Sequence, residues 1–525
     1  MMEKHLIGVD IGTQGTKAVL FSLSGTCLAN HFKPSKLSRP QPGAVEEDPE
    51  YQVASVCDTV QACIQESAID PKSVAAIALC GQMAGIIGVN QDGRHVTPYD
   101  SWLDIRCAPY IEKMKQTAGD EILAKTGCFP SFNHGPKILW WKSEHNDIYR
   151  QIKAFVQPAG YAVMRLCGLS GDAAFIDKSY LHFSGFADNR NNTWDAALCR
   201  RFGVEIEKMP QIEDCRSIVG EISGIMAPKC GLSPGTPVAA GCGDTVASFL
   251  ACGATRAGIC IDVAGTASVF AATTAGFQPD LSDKTLGCGQ AAVPGLWHPY
   301  AYINGGGMNL EWFRKEIAGR GASDGKTVLS FKELDSLAAG STPDPTDPVF
   351  IPHLGGRVCP SQPHLRGAWI GLEWNHNLGH LYRAALEGVA LEYGIYLQIL
   401  RDLYQDLSIS EIRITGGGEK SRIWNQIKAD VLGVSVVQIE ASEGAPMGLA
   451  LLAGYAAGII KDLDDAAQHW TKTGRRTTPN PQKNEFYRER LNRYRAYIRA
   501  INEVNETMQN SGIKSEEIED GNKRI

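Results

Sequence analysis

Val9-Asp10-Ile11-Gly12-Thr13-Gln14-Gly15-Thr16-Lys17 near the N-terminus and Asp262-Val263-Ala264-Gly265-Thr266-Ala267-Ser268 halfway along share one pattern. In each, an apolar strand runs through an Asp into a turn built on Gly and Thr. Each reads as a β-hairpin whose turn lets backbone N–H groups and hydroxyls approach an anion closely, because glycine puts no Cβ in the way. Two such grips, one in each half of the chain, can hold the β- and γ-phosphates of a nucleotide between two lobes.

Strands and helices interleave outward from the first hairpin, which predicts a mixed α/β layer architecture. Leu6 to about Asn30 reads as strand, turn, strand; Tyr51 to Ser67 has helical spacing; Val74 to Cys80 is a buried strand. Further helices are expected around Cys107–Lys115, Lys137–Glu144, Thr245–Cys252, Leu378–Leu403 and Ser421–Val431, with an Arg- and Tyr-rich amphipathic helix over Glu485–Met508. Asp244 is expected to cap the helix it precedes. At 525 residues the chain is too long for one core. The expected division is a first lobe over 1–253, a second over 254–508 and a disordered polar tail over 509–525.

Composition narrows the partners. A formal net charge of -7 and no long basic run argue against nucleic acid. No apolar run is long enough to span a bilayer, so no membrane partner is expected. Fifteen scattered cysteines without a CxxC pair fit reduced thiols. A first strand at Leu6-Ile7-Gly8-Val9 leaves no room for a signal peptide. The expected location is the cytoplasm, with a homodimer left open.

Several further segments carry chemistry. Phosphoryl transfer to a hydroxyl needs charge neutralisation, an in-line acceptor and a group to take its proton. Asp10, ending a strand beside the first turn, is placed to orient Mg²⁺, through water, since Mg²⁺ keeps much of its hydration shell. Thr13, Gln14, Gly15, Thr16 and Lys17 would meet phosphate from the first lobe, answered by Gly265 and Thr266 from the second. Asp244 is the candidate general base; an unperturbed Asp near pH 3.9 is a weak base, but late proton acceptance asks mainly for position. Gly325-Lys326-Thr327 lacks the Walker A glycine five residues earlier, and His376 and His380 lack the Glu of a zinc-protease helix.

Taken in order, the Asp-Ile-Gly-Thr turn, Gly81-Gln82-Met83, Trp102-Leu103-Asp104-Ile105-Arg106, Lys137-Ile138-Leu139-Trp140-Trp141, Gly243-Asp244, Gly265-Thr266, Gly367-Ala368-Trp369-Ile370-Gly371-Leu372 with His380, and Gly416–Gly418 resemble the FGGY family of carbohydrate kinases. The resemblance covers roughly residues 5–500. It implies a two-lobed actin-like, ribonuclease-H-like fold, with nucleotide and sugar meeting in the cleft between the lobes, and ATP and Mg²⁺ as cofactors. It also implies that Gly416, Gly417 and Gly418, between a strand and a helix, let the flat base lie against backbone, with Asn425 in that helix reaching the nucleotide. Gln82, Met83, Trp102, Asp104, Arg106 and Asp244 would form the sugar site. The amide, carboxylates and guanidinium suit a polyol, and the indole suits its C–H face.

The xylulokinase branch is the nearest likeness, and xylulose the foremost expected substrate, with another small ketose or polyol such as ribulose as runner-up. A non-metabolic actin-like ATPase is the rival of a different class. Xylulokinases commonly carry His after Gly-Gln-Met; this chain has Ala84, which leaves the identity of the sugar open.

Overall fold

Each Gly-Thr turn joins the first two strands of its own sheet. The computed structural model describes residues 3–319, 328–440 and 443–510. Gly325-Lys326-Thr327 and positions 511–525 of the expected tail lie outside them, while 509 and 510 end the last helix.

The first sheet contains β1 (His5–Ile11), β2 (Gly15–Ser22), β3 (Cys27–Pro34), β4 (Val74–Gly81), β5 (Ile218–Glu221) and β6 (Pro237–Gly243), in the order β5-β6-β4-β1-β2-β3. Strands β1, β4 and β6 run parallel; β2, β3 and β5 are antiparallel to their neighbours. Helices α1 (Pro49–Ser67) and α2 (Pro158–Cys167) cover one face through Val53, Val56, Val60, Tyr161, Val163 and Leu166. Asp48 starts α1 by accepting the Glu50 amide, with Pro49 at the position where a missing N–H costs nothing.

The second sheet repeats this plan. It contains β7 (Ile259–Ala264), β8 (Ser268–Ala272), β9 (Gly287–Gln290), β10 (Trp297–Ile303), β11 (Glu411–Thr415), β12 (Val436–Glu440) and β13 (Lys472–Thr477), ordered β9-β10-β8-β7-β11-β12-β13. The β7/β8 hairpin corresponds to β1/β2, and parallel β11 and β12 correspond to β4 and β6. This duplicated core is the ribonuclease-H-like pair of lobes implied by the motifs.

Two helices cross between the lobes. Helix α3 (Asp244–Ala251) packs Val246, Ala247 and Leu250 with the first sheet and Phe249 with Ile259, Ile261 and Ala271 of the second. After β12 the chain returns to the first lobe, where α6 (Ala445–Ala456) lies on β1 and β4 and against α3. A Cβ on Gly8 would lie 1.9 Å from the Pro446 carbonyl oxygen, and one on Gly448 2.1 Å from that of Ala247, so both crossings need glycine. Leu449, Leu451 and Leu452 are fully buried there, each contributing about 1.5–3 kcal/mol. The last strand of the first sheet thus ends at Gly243 and the first of the second begins at Ile259, while α3 and α6 interlace the two cores.

In the second lobe α4 (Leu378–Leu403) is buried along most of its length. It starts at a capping box in which Asn377 accepts the Gly379 amide at 2.9 Å and His380 Nδ1 accepts the Asn377 amide at 3.3 Å. Helices α5 (Arg422–Leu432) and α7 (Pro481–Asn510) pack beside it. The Arg- and Tyr-rich face of α7 is explained by α4: Tyr487 donates to Glu387 at 2.8 Å, Arg490 pairs with the same carboxylate at 2.8 Å, and Tyr494 donates to Glu392 at 2.6 Å. Buried charges are tolerated because each is paired and hydrogen-bonded.

The two hairpins differ by one residue. Asp10 is two positions before Gly12, whereas Asp262 is three before Gly265. Since side chains alternate across a sheet, that single step sends the two carboxylates to opposite faces. Asp262 points into the second core, where it accepts from Tyr393 at 2.8 Å and pairs with buried Lys428.

Candidate active site

Three neighbouring parallel strands, β6, β4 and β1, end at one level. Ile11 is in register with Gly81, and Gly81 with Gly243. Asp10 sits at the end of β1, Gln82 just past β4 and Asp244 just past β6. The carboxyl ends of parallel strands are where open α/β sheets hold ligands, and here they present carboxylate, amide and carboxylate in a row.

Asp10 accepts the Cys80 thiol at 3.2 Å. Burial raises its carboxyl to about 6, while the Cys80 contact and the charge of Lys17 oppose the rise. Asp244 is pushed up to about 7, first by burial and then by the charge of Asp10, with the Thr245 hydrogen bonds acting the other way. Its Oδ1 accepts the Thr245 amide at 2.6 Å and the Thr245 hydroxyl at 3.2 Å. The expected capping role is corrected by one residue: Gly243 is the N-cap, and Asp244 is the first residue of α3. A carboxylate in a first helical turn is still favoured by the helix dipole.

The first turn is closed by mutual bonds of Gly12 and Gly15, Gly12 N to Gly15 O at 3.0 Å and Gly15 N to Gly12 O at 3.3 Å, leaving Thr13 and Gln14 at its tip. Thr13 Oγ1 donates to Gln82 Oε1 at 3.2 Å and accepts from Trp102 Nε1 at 2.9 Å, which brings the first turn and two sugar-site candidates into one cluster. Thr16 is buried in β2. Lys17 pairs with Glu443 at 2.8 Å.

Gln82 Nε2 and Asn133 Oδ1 are buried without partners. Buried polar groups are normally satisfied; both atoms keep unused hydrogen-bonding capacity, as do buried atoms elsewhere such as His298 Nδ1 and Asp335 Oδ1. Next to Asn133, His134 Nε2 lies 2.6 Å from the Met83 carbonyl oxygen, and burial lowers that imidazole to about 4, keeping it neutral. The Met83 side chain packs against Gly243. Trp102 is 42% exposed, an indole open to solvent beside the Thr13–Gln82 contact.

Asp104 and Arg106 are brought together, but as a buried network. Arg106 pairs with Glu46 at 2.7 Å, Asp104 at 2.8 Å and Asp100 at 3.1 Å, and stacks on Trp140. Asp104 Oδ2 also accepts the Val45 amide at 2.9 Å. The carboxylates of Glu46, Asp100 and Asp104 lie within 4.8 Å of one another, the spacing of a cation site, and the guanidinium fills it. Sequence reading missed Glu46 and Asp100, which lie 60 and 6 residues from Arg106.

In the second lobe the glycine candidates converge. Gly307 N donates to Gly265 O at 2.9 Å and Met308 N to Thr266 O at 3.0 Å. Gly305-Gly306-Gly307 is therefore packing for the second turn: a Cβ on Gly306 would lie 1.8 Å from Ser268 Oγ. A Cβ on Gly416, at φ +90°, would lie 2.9 Å from the Ala264 carbonyl oxygen and one on Gly418 2.6 Å from the Ala264 side chain and 2.7 Å from Trp424, while one on Gly417 would meet nothing within 4 Å. Asn425 is buried, donating to the Glu419 carbonyl at 2.8 Å, and its Oδ1 has no partner.

Among the described residues no helix is long and apolar enough to cross a membrane. Residues 5–251 match the N-terminal domain of the FGGY family of carbohydrate kinases and residues 262–457 its C-terminal domain. The chain is 24% identical over 511 residues to the xylulose kinase of Bacillus subtilis, covering 96% of this chain and 99% of that one. It is 27% identical over 495 residues to the gluconokinase of the same organism, covering 92% and 94%. The crystal structure of xylulose kinase from Rhodospirillum rubrum superposes with a TM-score of 0.86 at 26% identity, over 96% of this chain and 100% of that one. With both domain models matched in order and the duplicated core in place, the chain belongs to the FGGY family of carbohydrate kinases.

Proposed function

We propose that this kinase transfers the γ-phosphoryl group of ATP to the terminal primary hydroxyl of a ketopentose, with xylulose as the substrate, giving xylulose 5-phosphate. The observation that carries the mechanism is the row Asp10, Gln82, Asp244 at the ends of three adjacent strands, with the Asp244 carboxyl raised to about 7. A base works best with a pKa near the operating pH. Asp244 accepts the hydroxyl proton, Gln82 and Trp102 hold the sugar, and Asp104 and Arg106 stiffen the segment that carries Trp102. Thr13, Gln14, Gly15 and Lys17 meet the phosphates from one side, and Gly265 and Thr266 from the other. Gly416–Gly418 and Asn425 take the nucleoside.

Asp10 fits a hydrated Mg²⁺. Its carboxylate is near enough to Asp244 for its charge to act on that group, and one or two carboxylates with several waters is the usual Mg²⁺ arrangement. When bound, the ion neutralises charge on the transferring phosphates. All fifteen cysteines are free, which supports a cytoplasmic location.

The test is ADP release from MgATP over ketopentoses, ketohexoses, gluconate, glycerol and tetritols. The expected result is turnover that depends on added sugar and is highest with xylulose. Highest turnover with ribulose or gluconate would replace the substrate and keep the mechanism. Sugar-independent ATP hydrolysis would favour the ATPase reading.

A further inference from the structure

Strand β6 does not run straight to Asp244. Its pairing with β4 shifts register between Ala239 and Cys242, at Gly241, whose φ is +72° and whose Cβ would fall 1.8 Å from the Leu79 carbonyl oxygen. Such a bulge re-aims the residues that follow and leaves the local ladder incomplete. Past the bulge the ladder resumes only at Cys242–Cys80 and Gly243–Gly81, so the strand ends that carry Gln82 and Asp244 rest on a short stretch of pairing and gain from support outside the sheet.

Two neighbouring hydroxyls supply that support. Tyr180 lies in the short 3₁₀ segment Lys178–Phe183 and is 2% exposed. Its OH lies 3.0 Å from the Gly81 carbonyl oxygen and 3.3 Å from that of Cys242, so one hydrogen is shared between the residues immediately before Gln82 and Gly243. One residue earlier, Ser179 Oγ accepts the Gly243 amide at 2.9 Å, and the Ser179 amide is itself held by Asp177 at 2.8 Å. All of these contacts are buried, where exchange with water is costly.

We propose that Tyr180 and Ser179 are positioning residues that fix the separation between Gln82 and Asp244, and so hold the acceptor hydroxyl against the base; this rests on the reading of Asp244 as that base. Neither side chain needs to touch the sugar. Misplacing a reacting group by about 1 Å can cost on the order of 100-fold in rate.

Tyr180→Phe and Ser179→Ala would be compared with Tyr161→Phe, which removes a hydroxyl that bonds Glu50 at 2.6 Å and the His95 amide at 3.3 Å and neither strand end. In Tyr180→Phe, kcat/KM for the sugar should fall by about 10- to 100-fold, with the affinity for a nonhydrolysable ATP analogue within about twofold of wild type. ADP released per sugar phosphate formed should exceed one. Amide exchange over 81–85 and 242–246 should accelerate in both variants and stay unchanged in Tyr161→Phe. Unchanged exchange in those segments would overturn the proposal whatever the activity. A kinetic loss no larger than that of Tyr161→Phe would overturn it too. A wild-type protein that phosphorylates no sugar would instead overturn the kinase reading, and the exchange data would still decide whether the strand ends are tied.

Discussion

Lys17 Nζ lies 2.8 Å from Glu443 Oε2, so the β2 strand beside the first phosphate turn is held to the segment that leads back from the second lobe. Each side chain is about a third exposed, a setting in which such a pair contributes about 0–1 kcal/mol. If Lys17 serves phosphate, Glu443 competes for it. Glu443→Gln should therefore tighten MgATP binding by up to about fivefold, and Lys17→Met should weaken it, both read by calorimetry. Weaker binding in Glu443→Gln would show instead that the pair organises the site.

Asp244→Asn keeps an oxygen for the Thr245 amide and hydroxyl, and the N-cap is Gly243. Folding should be close to wild type. Loss of the proton acceptor should lower kcat by about 10²–10⁴-fold while a nonhydrolysable ATP analogue still binds. Near-full turnover would move the base elsewhere; joint loss of binding and thermal stability would make the residue structural.

The pH dependence follows from the same group. With its carboxyl at about 7 in the free protein, the base is increasingly protonated below that pH, so kcat/KM should fall as pH drops through 7. Stability runs the other way. Between the ordinary Asp value of about 3.9 and about 7, the folded protein holds a proton on Asp244 that the unfolded chain has lost. The unfolded state binds fewer protons, so this group's contribution to stability decreases as pH rises through the window. Denaturation of the ligand-free protein at pH 5.5 and 7.5 should show Asp244→Asn losing part of that slope.

Ala84 stands where xylulokinases commonly carry His, beside Met83 and the buried Gln82. Ala84→His should reorder the preference among ketoses and gluconate in the ADP-release panel. An equal loss with every substrate, accompanied by a lower melting temperature, would show that the position is packing.

Much of the candidate edge of the first lobe is readable in the sequence because its residues are local. Asp10 lies at the end of one apolar strand and Asp244 opens the helix just after another, and strand ends are readable from short motifs. Arg106 was less so: its neighbour Asp104 is two residues away, but the partners that complete its network, Asp100 and Glu46, are brought by separate segments, and no spacing signals them. The register of Asp262 was visible in the letters, one residue further from Gly-Thr than Asp10, yet its burial against Lys428 needed α5 in place. Helix α6 carries apolar residues on every side, so its sequence says that it is buried and not against which sheet. Tyr180 lies outside every recognised motif, and only the bulge in β6 gives its hydroxyl a task.

The return of α6 to the first sheet also bears on how the chain is made. Leu6, Val19, Phe21, Ala76 and Ala78 form the face that α6 covers with Leu449, Leu452 and Ala453. On the ribosome that face, complete once Ala78 is made, waits until Ala445 and the helix it opens emerge, although the rest of the first lobe is complete by α3. An unfinished apolar face during synthesis invites aggregation and makes chaperones a companion of folding. A fragment ending at residue 253 would keep that face open indefinitely, so expression of the first lobe alone should give insoluble protein, and adding the 445–470 segment as a separate peptide should recover part of it.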